Sequence, residues 1–373
     1  MNMKILMIIK TSSITYDERL KKEIDSLLTL GVEQITVFAI EDIKSSYSKS
    51  NVKVLNPDFR IRKTNSGLGK ALTLLELVFK LNKEIRIKNF DKVWVHDPIL
   101  MFIIPFLRLK TKKSLIWDLH ELPPSSFVKN KGLNYLFTKI GKKANTIIVA
   151  NGERGAYMTN KGMITKYNVL HNYPSMEGKN QSLDKDFFDS EFEEWIKNKN
   201  FAYCQSATHP SRNFDSLVLA CINTKQYLLV VGEQNETYKK VRTKYSEFDS
   251  FIKVLGKKPS NSLGYYMRKA RFSFIFYTDE NKNNYLCAPN RMYHSLKQGI
   301  PVIVGANPTM KNIVSKYNCG VTLNSFGELV EDIEVGIYEM KKNYDGYRTN
   351  TTKIVNKFTW EDQDIVIKKI INT

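Results

Sequence analysis

Two carboxylates flank an imidazole in the segment Asp118-Leu119-His120-Glu121. The segment follows an apolar run typical of a buried strand and precedes Pro123-Pro124, which favours a turn. Because histidine titrates near neutral pH, a neighbouring acid can fix its tautomer, or the acid can itself act as a general base. A helix N-cap beside a buried structural histidine would give the same pattern, so the residues alone leave both interpretations open.

A second polar cluster lies in the segment 290–303. This segment predicts a short helix that ends at Gly299 and leads into a strand, since the proline that follows is tolerated only where a strand begins. Asn290, Arg291 and His294 are expected to share one edge of the helix. A purely structural helix would not require a polar edge, so the pattern favours a ligand-binding role.

Arg212 ends the segment 206–212, which contains the small hydroxyl residues Ser206, Thr208 and Ser211 and directly follows another predicted strand. An arginine near a helix N-terminus suits a diphosphate, because its planar donors act together with the helix dipole and exposed amides. The segment contains neither G-x-G-x-x-G nor a Walker loop. A solvated arginine is therefore an equally compatible interpretation.

Short apolar runs alternate with longer stretches of helical period in both halves of the chain, which predicts parallel sheets covered by helices. One helix, predicted over 17–30, carries leucines and an isoleucine at helical spacing and stops at Gly31. The predicted strands are Ile5–Ile9, Ile35–Ala39, Val52–Leu55, Lys92–His96, Ser114–Asp118, Thr146–Ala150, Phe201–Cys204, Tyr227–Val231, Phe251–Leu255, Phe272–Phe276, Pro301–Val304 and Val321–Leu323. The sequence therefore predicts two doubly wound α/β domains, with a helical tail after Phe326.

In doubly wound sheets, ligands bind beyond the carboxyl ends of the strands. The three clusters above lie at such ends, and so do Thr11 to Arg19, Asn151 to Arg154 and His171-Asn172. His96-Asp97-Pro98 has the same position, but an aspartate before proline is an ordinary turn starter, which is the favoured interpretation there.

The chain has 373 residues, of which 42% are hydrophobic and 12% aromatic, enough for about two domains with cores of their own. Disordered chains and disulfide-stapled miniproteins are thereby excluded. The four cysteines lie far apart without zinc-site spacing and are expected to be reduced core thiols. With no signal-peptide pattern and a longest apolar stretch of only 99–107, the expected location is the cytoplasm.

The formal charge is +19, and residues 1–172 supply +14 of it, with 29 Lys and Arg against 15 Asp and Glu. Such a surface favours an anionic partner, which the charge alone does not identify further. The basic stretches 60–63 and 108–113 fit an anionic membrane surface and an ordinary solvated face equally well. No RNA- or DNA-binding motif appears, so nucleic acid is not expected as a partner.

The order and spacing of these segments resemble those of bacterial GT-B-fold glycosyltransferases of the family 4 type, which transfer a sugar from a nucleotide donor during surface polysaccharide assembly. The resemblance covers nearly the whole chain. The segments that carry it are Lys4 to Arg19, Trp117 to Glu121, Ile148 to Asn151, Val169 to Pro174 and, most specifically, Asn290 to Ile303, which is similar to the family element N-(K/R)-x-(Y/F)-E-x-(L/M)-x-x-G-x-P-V-I.

The resemblance implies roles for three groups of residues. His120 would touch the transferred sugar, with Glu121 and Asp118 in support. The donor would meet Arg212 at its diphosphate, the amides of loop 305–309, and segment 256–259 over its base. The donor-binding set is Arg212, Asn290, Arg291, His294, Gly256, Lys257 and Asn307, and the acceptor-side set is Thr11, Ser12, Asp17 and Arg19. The implied mechanism uses no metal and no cofactor, because Arg, Lys and amides meet the phosphate charge.

The resemblance also implies a GT-B architecture of two Rossmann-like domains facing a cleft. Residues 1–172, with a C-terminal helix at about 357–373, would bind the acceptor, 173–199 would be a linker, and 200–356 would bind the donor. The implied activity is that of a hexosyltransferase which moves a sugar, expected from a UDP-sugar, to a hydroxyl of a growing surface polysaccharide, such as capsule or O-antigen, or of a lipid-linked glycan. Retention of anomeric configuration is expected; a base role for Asp118 or Glu121 would instead give inversion.

Three positions depart from the family pattern. His294 and Leu286 stand where the family usually carries a pair of glutamates, and the lysine that often follows the phosphate-binding Arg212 is absent. These departures keep a second hypothesis open, that of a non-catalytic GT-B partner subunit which stabilises or recruits an active transferase at the membrane.

Overall fold

The computed structural model describes residues 2–59, 67–176, 188–259 and 262–373. The chain divides into two compact units, Met1–Asn172 with Trp360–Thr373, and Tyr173–Thr359. Each unit has its own parallel sheet and its own buried core. No helix in the described ranges combines the length and the apolar character needed to cross a membrane.

The elements follow one another in an alternating order. The strands are β1 (Lys4–Thr11), β2 (Gln34–Glu41), β3 (Val52–Leu55), β4 (Lys92–His96), β5 (Ser114–Leu119), β6 (Thr146–Val149), β7 (Asn168–Val169), β8 (Phe201–Gln205), β9 (Tyr227–Val231), β10 (Ile252–Val254), β11 (Phe272–Ile275), β12 (Val302–Val304) and β13 (Gly320–Thr322). The helices are α1 (Glu18–Thr29), α2 (Gly67–Glu84), α3 (Ile104–Lys110), α4 (Ser125–Lys129), α5 (Lys131–Gly141), α6 (Gly152–Asn160), α7 (Ser190–Ile196), α8 (Phe214–Asn223), α9 (Glu236–Lys244), α10 (Phe248–Phe251), α11 (Leu263–Arg268), α12 (Lys282–Tyr285), α13 (Asn290–Lys297), α14 (Pro308–Tyr317), α15 (Val330–Lys342), α16 (Tyr344–Thr352) and α17 (Asp364–Asn372).

The first sheet has the order β3-β2-β1-β4-β5-β6-β7, and the second has the order β10-β9-β8-β11-β12-β13. The paired strands of both sheets run parallel. In each sheet the direction of winding reverses once, between β1 and β4 in the first and between β8 and β11 in the second. Loops diverge at the carboxyl ends of these strand pairs, which makes them the expected ligand sites of doubly wound sheets.

All twelve predicted strands are observed with small shifts in their ends, because β-branched and apolar runs between turn signals are typical of buried parallel strands. The additional strand β7 has only two residues, too few for a periodic pattern. The helical tail after Phe326 is confirmed by α15, α16 and α17. All four cysteines are buried free thiols, as expected for core positions.

Helix α1 shows how the sequence forms the first unit. The Asp17 carboxylate accepts a hydrogen bond from the Leu20 backbone N–H at 3.0 Å, which caps the helix. Gly31, just beyond its end, has a φ of 87°, a conformation in which glycine is favoured. The apolar face of α1, with Leu20 and Ile24 buried, packs in one core with Ile367 of α17. The helix predicted over 17–30 is therefore confirmed.

The segment predicted as a linker lies partly outside the described residues, at 177–187. Its described part contains α7, whose Phe192 is fully buried against Phe201 and Tyr266 of the second unit. Residues 190–196 therefore belong to that unit. The chain returns to the first unit at Trp360, whose indole N–H donates to Ser26 Oγ at 2.8 Å.

Candidate functional site

The carboxyl edge of the first sheet gathers the polar residues that follow β1, β4 and β5. In the parallel register, His96 at the end of β4 lies beside Asp118 on β5. His120 follows two residues later, and Arg19 enters from α1, next to β1. Asp118 is completely buried, so a charged carboxylate at this position needs a partner.

Arg19 is that partner. Its Nη2 lies 2.9 Å from Asp118 Oδ2, its Nε lies 3.0 Å from Glu23 Oε1, and its Nη1 donates to the Leu170 carbonyl at 3.1 Å. Burial opposes the charge on Asp118, but Arg19, followed by His120 and His96, outweighs burial and lowers the pKa of Asp118. Arg19, assigned to the acceptor side, has a buried guanidinium that is used to hold this carboxylate.

Glu23 is a member of this cluster that the sequence analysis did not single out. It lies one helical turn after Arg19 on the apolar face of α1, and its side chain is fully buried. Burial raises the pKa of Glu23 well above its usual range, and Asp118 reinforces this against the opposing effect of Arg19. The arrangement favours a protonated Glu23 carboxyl beside an ionised Asp118. An acid among the leucines of an amphipathic helix was the available signal.

His96, interpreted from sequence as part of an ordinary turn, is also drawn into the cluster. Its Nδ1 lies 3.7 Å from both Glu23 Oε2 and Asp118 Oδ2, and its ring stacks on Trp94. Burial lowers the pKa of His96 to about 4, against the pull of Asp118. The imidazole is therefore neutral at physiological pH.

His120 lies between two carboxylates. Its Nε2 is 3.1 Å from Asp97 Oδ1, and its Nδ1 is 3.8 Å from Asp118 Oδ1. Asp97 has a φ of 67°, and its backbone carbonyl accepts a hydrogen bond from the Trp117 indole. Burial raises the pKa of Asp97 to about 6, although His120 opposes the shift. With a quarter of its side chain exposed, His120 is placed to meet a ligand from solvent.

The remaining members of the first unit's predicted site lie outside the buried cluster. Glu121 is exposed. Ser12 is also exposed, and its carbonyl accepts hydrogen bonds from the backbone of residues 42 and 43. Thr11 is half-buried at the end of β1, and Asp17 is occupied as the cap of α1. Thr11 and Ser12 are thus at the sheet edge where an acceptor was expected.

His96, Asp118 and His120 could also hold a metal ion, since their ligand atoms lie within 4.8 Å of one another. Arg19 already supplies a positive charge within hydrogen-bonding distance of Asp118. A cation would therefore have to compete with a guanidinium for this carboxylate.

In the second unit, Arg212 and Arg291 both contact the ring of Tyr277. The guanidinium carbon of Arg212 lies 3.2 Å from the ring centroid, and that of Arg291 lies 4.4 Å from it. Arg212 follows β8, whereas Tyr277 follows β11, so the group stands at the point where this sheet reverses its winding. Tyr277 was not predicted as a site residue.

Arg291 is buried and has a structural role within this group. It donates from Nη1 to the Gln205 carbonyl at 2.5 Å and from Nη2 to the Phe276 carbonyl at 3.1 Å. These carbonyls lie at the ends of β8 and β11, so Arg291 joins the two strands. It points toward the sheet rather than along the polar edge on which Asn290 and His294 were expected with it; Asn290 is half-buried and His294 exposed.

The guanidinium of Arg212 has a hydrogen-bond donor that could bind a ligand. Its Nη1 donates to Ser211 Oγ at 3.1 Å, while its Nε is buried and makes no hydrogen bond within the described part of the chain. Burial, and then the charge of Arg291, lower the pKa of Arg212 to about 10. An anion bound here would satisfy the Nε donor and offset the repulsion between the two arginines.

The loops around Arg212 are packed closely. A Cβ at Gly232, after β9, would lie only 3.0 Å from the Ser206 Cα, so glycine permits this approach. Ser206 itself has a φ of 54°. Thr208 Oγ1 donates to the Glu233 carbonyl at 2.7 Å. These contacts fix the turn that presents Arg212.

The other predicted donor residues occupy different environments. Gly256 has a φ of 73°, and its carbonyl accepts a hydrogen bond from the Gly232 N–H at 2.9 Å. Lys257 is exposed and lies 3.3 Å from a Glu233 carboxylate oxygen. Asn307 is completely buried, and its amide donates to the Asn284 carbonyl at 3.1 Å. The side chain of Asn307 therefore braces the loop from within.

The histidines give the molecule a predictable acid sensitivity. Burial lowers the pKa of His171 to about 4, so the folded state resists a proton that the unfolded chain accepts near pH 6.5. The contribution of His171 to the free energy of unfolding is therefore fully present above pH 6.5 and is lost progressively as the pH falls toward 4. When the pH is lowered from 7 to 5, the free energy of unfolding of the unchanged chain should fall by about 2 kcal/mol more than that of the variant His171→Gln.

Urea denaturation at the two pH values measures this difference. His294→Gln, at an exposed histidine, is the matched control and should behave like the unchanged chain. Equal losses in all three proteins would show that His171 does not carry the effect. His171 is chosen over His96 because Asp97, with its raised pKa, acts in the opposite direction within the cluster.

No family model matches the sequence, and no curated protein matches it. Solved structures do match the fold over nearly the full chain. Sucrose-phosphate synthase from Thermosynechococcus elongatus has a TM-score of 0.76 at 12% identity, covering 99% of this chain and 98% of that chain. HepE of Anabaena, in complex with UDP and glucose, has a TM-score of 0.70 at 13% identity, covering 99% of each chain. WaaG, a glycosyltransferase involved in lipopolysaccharide biosynthesis, has a TM-score of 0.65 at 12% identity, covering 97% of this chain and 99% of that chain.

These structural neighbours are glycosyltransferases of the GT-B fold. At such identities the likeness establishes the fold alone. The predicted fold class, α/β with two doubly wound GT-B units, is confirmed.

Proposed function

We propose that the chain is a glycosyltransferase of the hexosyltransferase type, which moves a sugar from a UDP-sugar to a hydroxyl of a growing surface polysaccharide or lipid-linked glycan. The observation that carries the proposal is Arg212, whose guanidinium carbon lies 3.2 Å from the centroid of the Tyr277 ring and whose Nε is unbonded in the described chain. A guanidinium fixed in this way directs its in-plane donors at a diphosphate. HepE, solved in complex with UDP-glucose, supports uridine diphosphate as the carrier.

Each unit has a separate task in this proposal. The unit Tyr173–Thr359 binds the donor, and Arg212 stabilises the negative charge that develops on the diphosphate as the sugar leaves. The other unit binds the acceptor, and its His120 contacts the transferred sugar. Because arginine and backbone amides meet the phosphate charge, the proposed reaction requires neither a metal nor another cofactor.

We further propose that the anomeric configuration is retained. Asp118 is completely buried and bonded to Arg19, so it is poorly placed to take a proton from an acceptor hydroxyl. Glu121 is exposed and remains the candidate base for inversion. The anomer of the first-formed product, read by NMR, decides between the two courses.

A non-catalytic partner subunit is the second candidate function. Leu286 is buried and apolar, and His294 is exposed, at the two positions where the resemblance expects glutamates. A chain that had lost this pair of glutamates could keep the fold and stabilise an active transferase. This candidate predicts no turnover with any nucleotide sugar.

A thermal-shift and calorimetric panel of UDP, GDP, ADP, CMP and their common sugar conjugates tests the proposal. A ligand at about 100 times its dissociation constant adds about 2.7 kcal/mol of stability, which is readily detected. We expect a selective response to UDP and to one of its conjugates, and slow release of UDP without acceptor. Silence across the panel would favour the partner subunit, and the next step would be to identify the protein that co-purifies with the chain.

We propose a cytoplasmic location with peripheral attachment to the inner face of the cell membrane. The excess of 29 basic over 15 acidic residues in 1–172 supports attraction to anionic lipid. Nucleic acid is not a proposed partner.

A further inference from the structure

One side of the first unit exposes an unusual density of large apolar side chains. They lie on four elements: the 3-10 helix Pro98–Ile103, and α2, α3 and α5, each of which packs against it. Leu75 and Phe79 of α2 are exposed by 65% and 68%, and Leu109 of α3 by 87%. Ile99, Phe102 and Tyr135 are exposed on the other two elements. We call the exposed side chains of these four elements the apolar-basic face.

The apolar side chains on α2 are arranged along one side of the helix. Leu72, Leu75 and Phe79 follow each other at intervals of three and four residues, whereas Leu77 and Leu81 are buried on the opposite side. Helix α2 is therefore apolar on both sides, although only one side packs into the unit. Exposed apolar surface of this kind marks an interaction site.

The charge on the same elements is predominantly positive, with seven Lys and Arg against two acids. The acids, Glu76 and Glu84, are both on α2, which also carries three lysines. Residues 98–143 as a whole contain nine Lys and Arg against two acids, Asp118 and Glu121, and Asp118 is buried. Exposed lysines include Lys110, Lys139 and Lys142. A face of this sign repels basic partners and attracts anionic ones.

Lysine ammonium groups stand beside aromatic rings at two places on the face. Lys139 Nζ lies 5.2 Å from the Tyr135 ring centroid, and Lys110 Nζ lies 5.5 Å from that of Phe106. An anionic bilayer surface accommodates this pairing, because the ring and the lysine stem enter the apolar boundary while the ammonium stays among headgroups. An acidic protein would match the charge, but it would leave the scattered apolar side chains without a continuous apolar phase.

We propose that the apolar-basic face seats the protein on an anionic lipid bilayer. Membrane binding of this kind would bring a membrane-anchored acceptor to the site. This consequence rests on the proposed function. The 3-10 helix begins at Pro98, directly after Asp97, which contacts His120. A glycan anchored in the same bilayer would thus be presented beside His120.

Co-sedimentation with vesicles tests the proposal with the full chain. We expect strong binding to equimolar phosphatidylglycerol and phosphatidylcholine and weak binding to phosphatidylcholine alone. Leu75→Asp with Phe79→Asp should weaken binding at least tenfold, since each change removes apolar area from the bilayer boundary. Lys139→Gln with Lys142→Gln and Lys143→Gln should weaken it about a hundredfold, with a strong dependence on salt.

Matched controls come from exposed positions of the second unit. Val335→Asp with Tyr338→Asp repeats the apolar change, and Lys239→Gln with Lys240→Gln and Lys244→Gln repeats the loss of three charges. Neither control should alter vesicle binding. Equal binding to both vesicle types, or equal losses in the controls, would overturn the proposal. So would a change of oligomeric state in Leu75→Asp with Phe79→Asp that occurs without vesicles, because it would identify a protein partner.

The vesicle measurement is independent of the transferase proposal. A chain that binds vesicles but no nucleotide supports the apolar-basic face and counts against the donor site. A chain that binds UDP but ignores vesicles does the reverse.

Discussion

Arg212→Ala is expected to weaken UDP binding by about a hundredfold or more. Hydrogen bonds from a charged donor to an anion each contribute about 1.5–3 kcal/mol, and the free in-plane donors of Arg212 can make at least two. The fold should tolerate the change, because within the described residues the side chain donates a single hydrogen bond, to Ser211, beside its contact with the Tyr277 ring. Isothermal calorimetry with UDP measures the affinity, and circular dichroism checks the fold.

Two further variants sharpen this test. Arg212→Lys keeps the charge but loses the planar fork, so an intermediate affinity is expected. Arg242→Ala removes an exposed arginine of the same unit, paired with Asp249 at 2.8 Å, and should leave UDP affinity unchanged. If Arg212→Ala bound UDP as well as the unchanged chain, the donor site would have to be sought elsewhere in the second unit.

Asp118→Asn is expected to lower the free energy of unfolding by about 3–5 kcal/mol. The substitution leaves the buried guanidinium of Arg19 without its ionised partner, and removing one member of a buried ion pair costs about this much. Glu23 would have to deprotonate in the core to replace the lost charge, and burial, the largest cause of its raised pKa, opposes this. Urea denaturation of the purified variant at pH 7 measures the loss.

Glu121→Gln is the matched control, since it changes an exposed carboxylate in the same segment and should alter stability by less than about 0.5 kcal/mol. The double variant Arg19→Met with Asp118→Asn removes both charges. Its loss in free energy of unfolding should be smaller than the summed losses of the single variants Arg19→Met and Asp118→Asn. Additive losses would mean that Arg19 and Asp118 do not act as a pair.

Much of the fold was predictable because buried parallel strands read as apolar runs between turn signals. The runs at Ile5–Ile9 and Tyr227–Val231, for example, lie within or coincide with observed strands. The positions of Asp118, His120 and Arg212 at strand ends were predictable for the same reason. For Asp118 and His120, the position near a strand end follows from local pattern, and the parallel pairing of β4 with β5 brings them to His96 and Asp97.

The members of each cluster that come from distant segments were harder to predict. Glu23 is one of three acids on the amphipathic helix α1. Its spacing places it beside Arg19, but nothing local indicates that it also faces Asp118. Tyr277 extends the aromatic run of β11, so by pattern it looks like one more core residue. Asp97 looks like a turn starter, and only the neighbouring strand brings His120 to it. These roles depend on which strands are neighbours, which sequence periodicity does not specify.

The first unit is built from two separated pieces of chain, and its core includes Ile367 and Ile370 of α17. A ribosome makes those residues only after the entire second unit. Synthesis of the first unit therefore begins before that of the second unit but ends after it. Until α17 has been made, the apolar side of α1 lacks the residues that cover it. A chain truncated between Trp360 and α17 would therefore keep the core of the second unit and lack Ile367 and Ile370 from the core of the first.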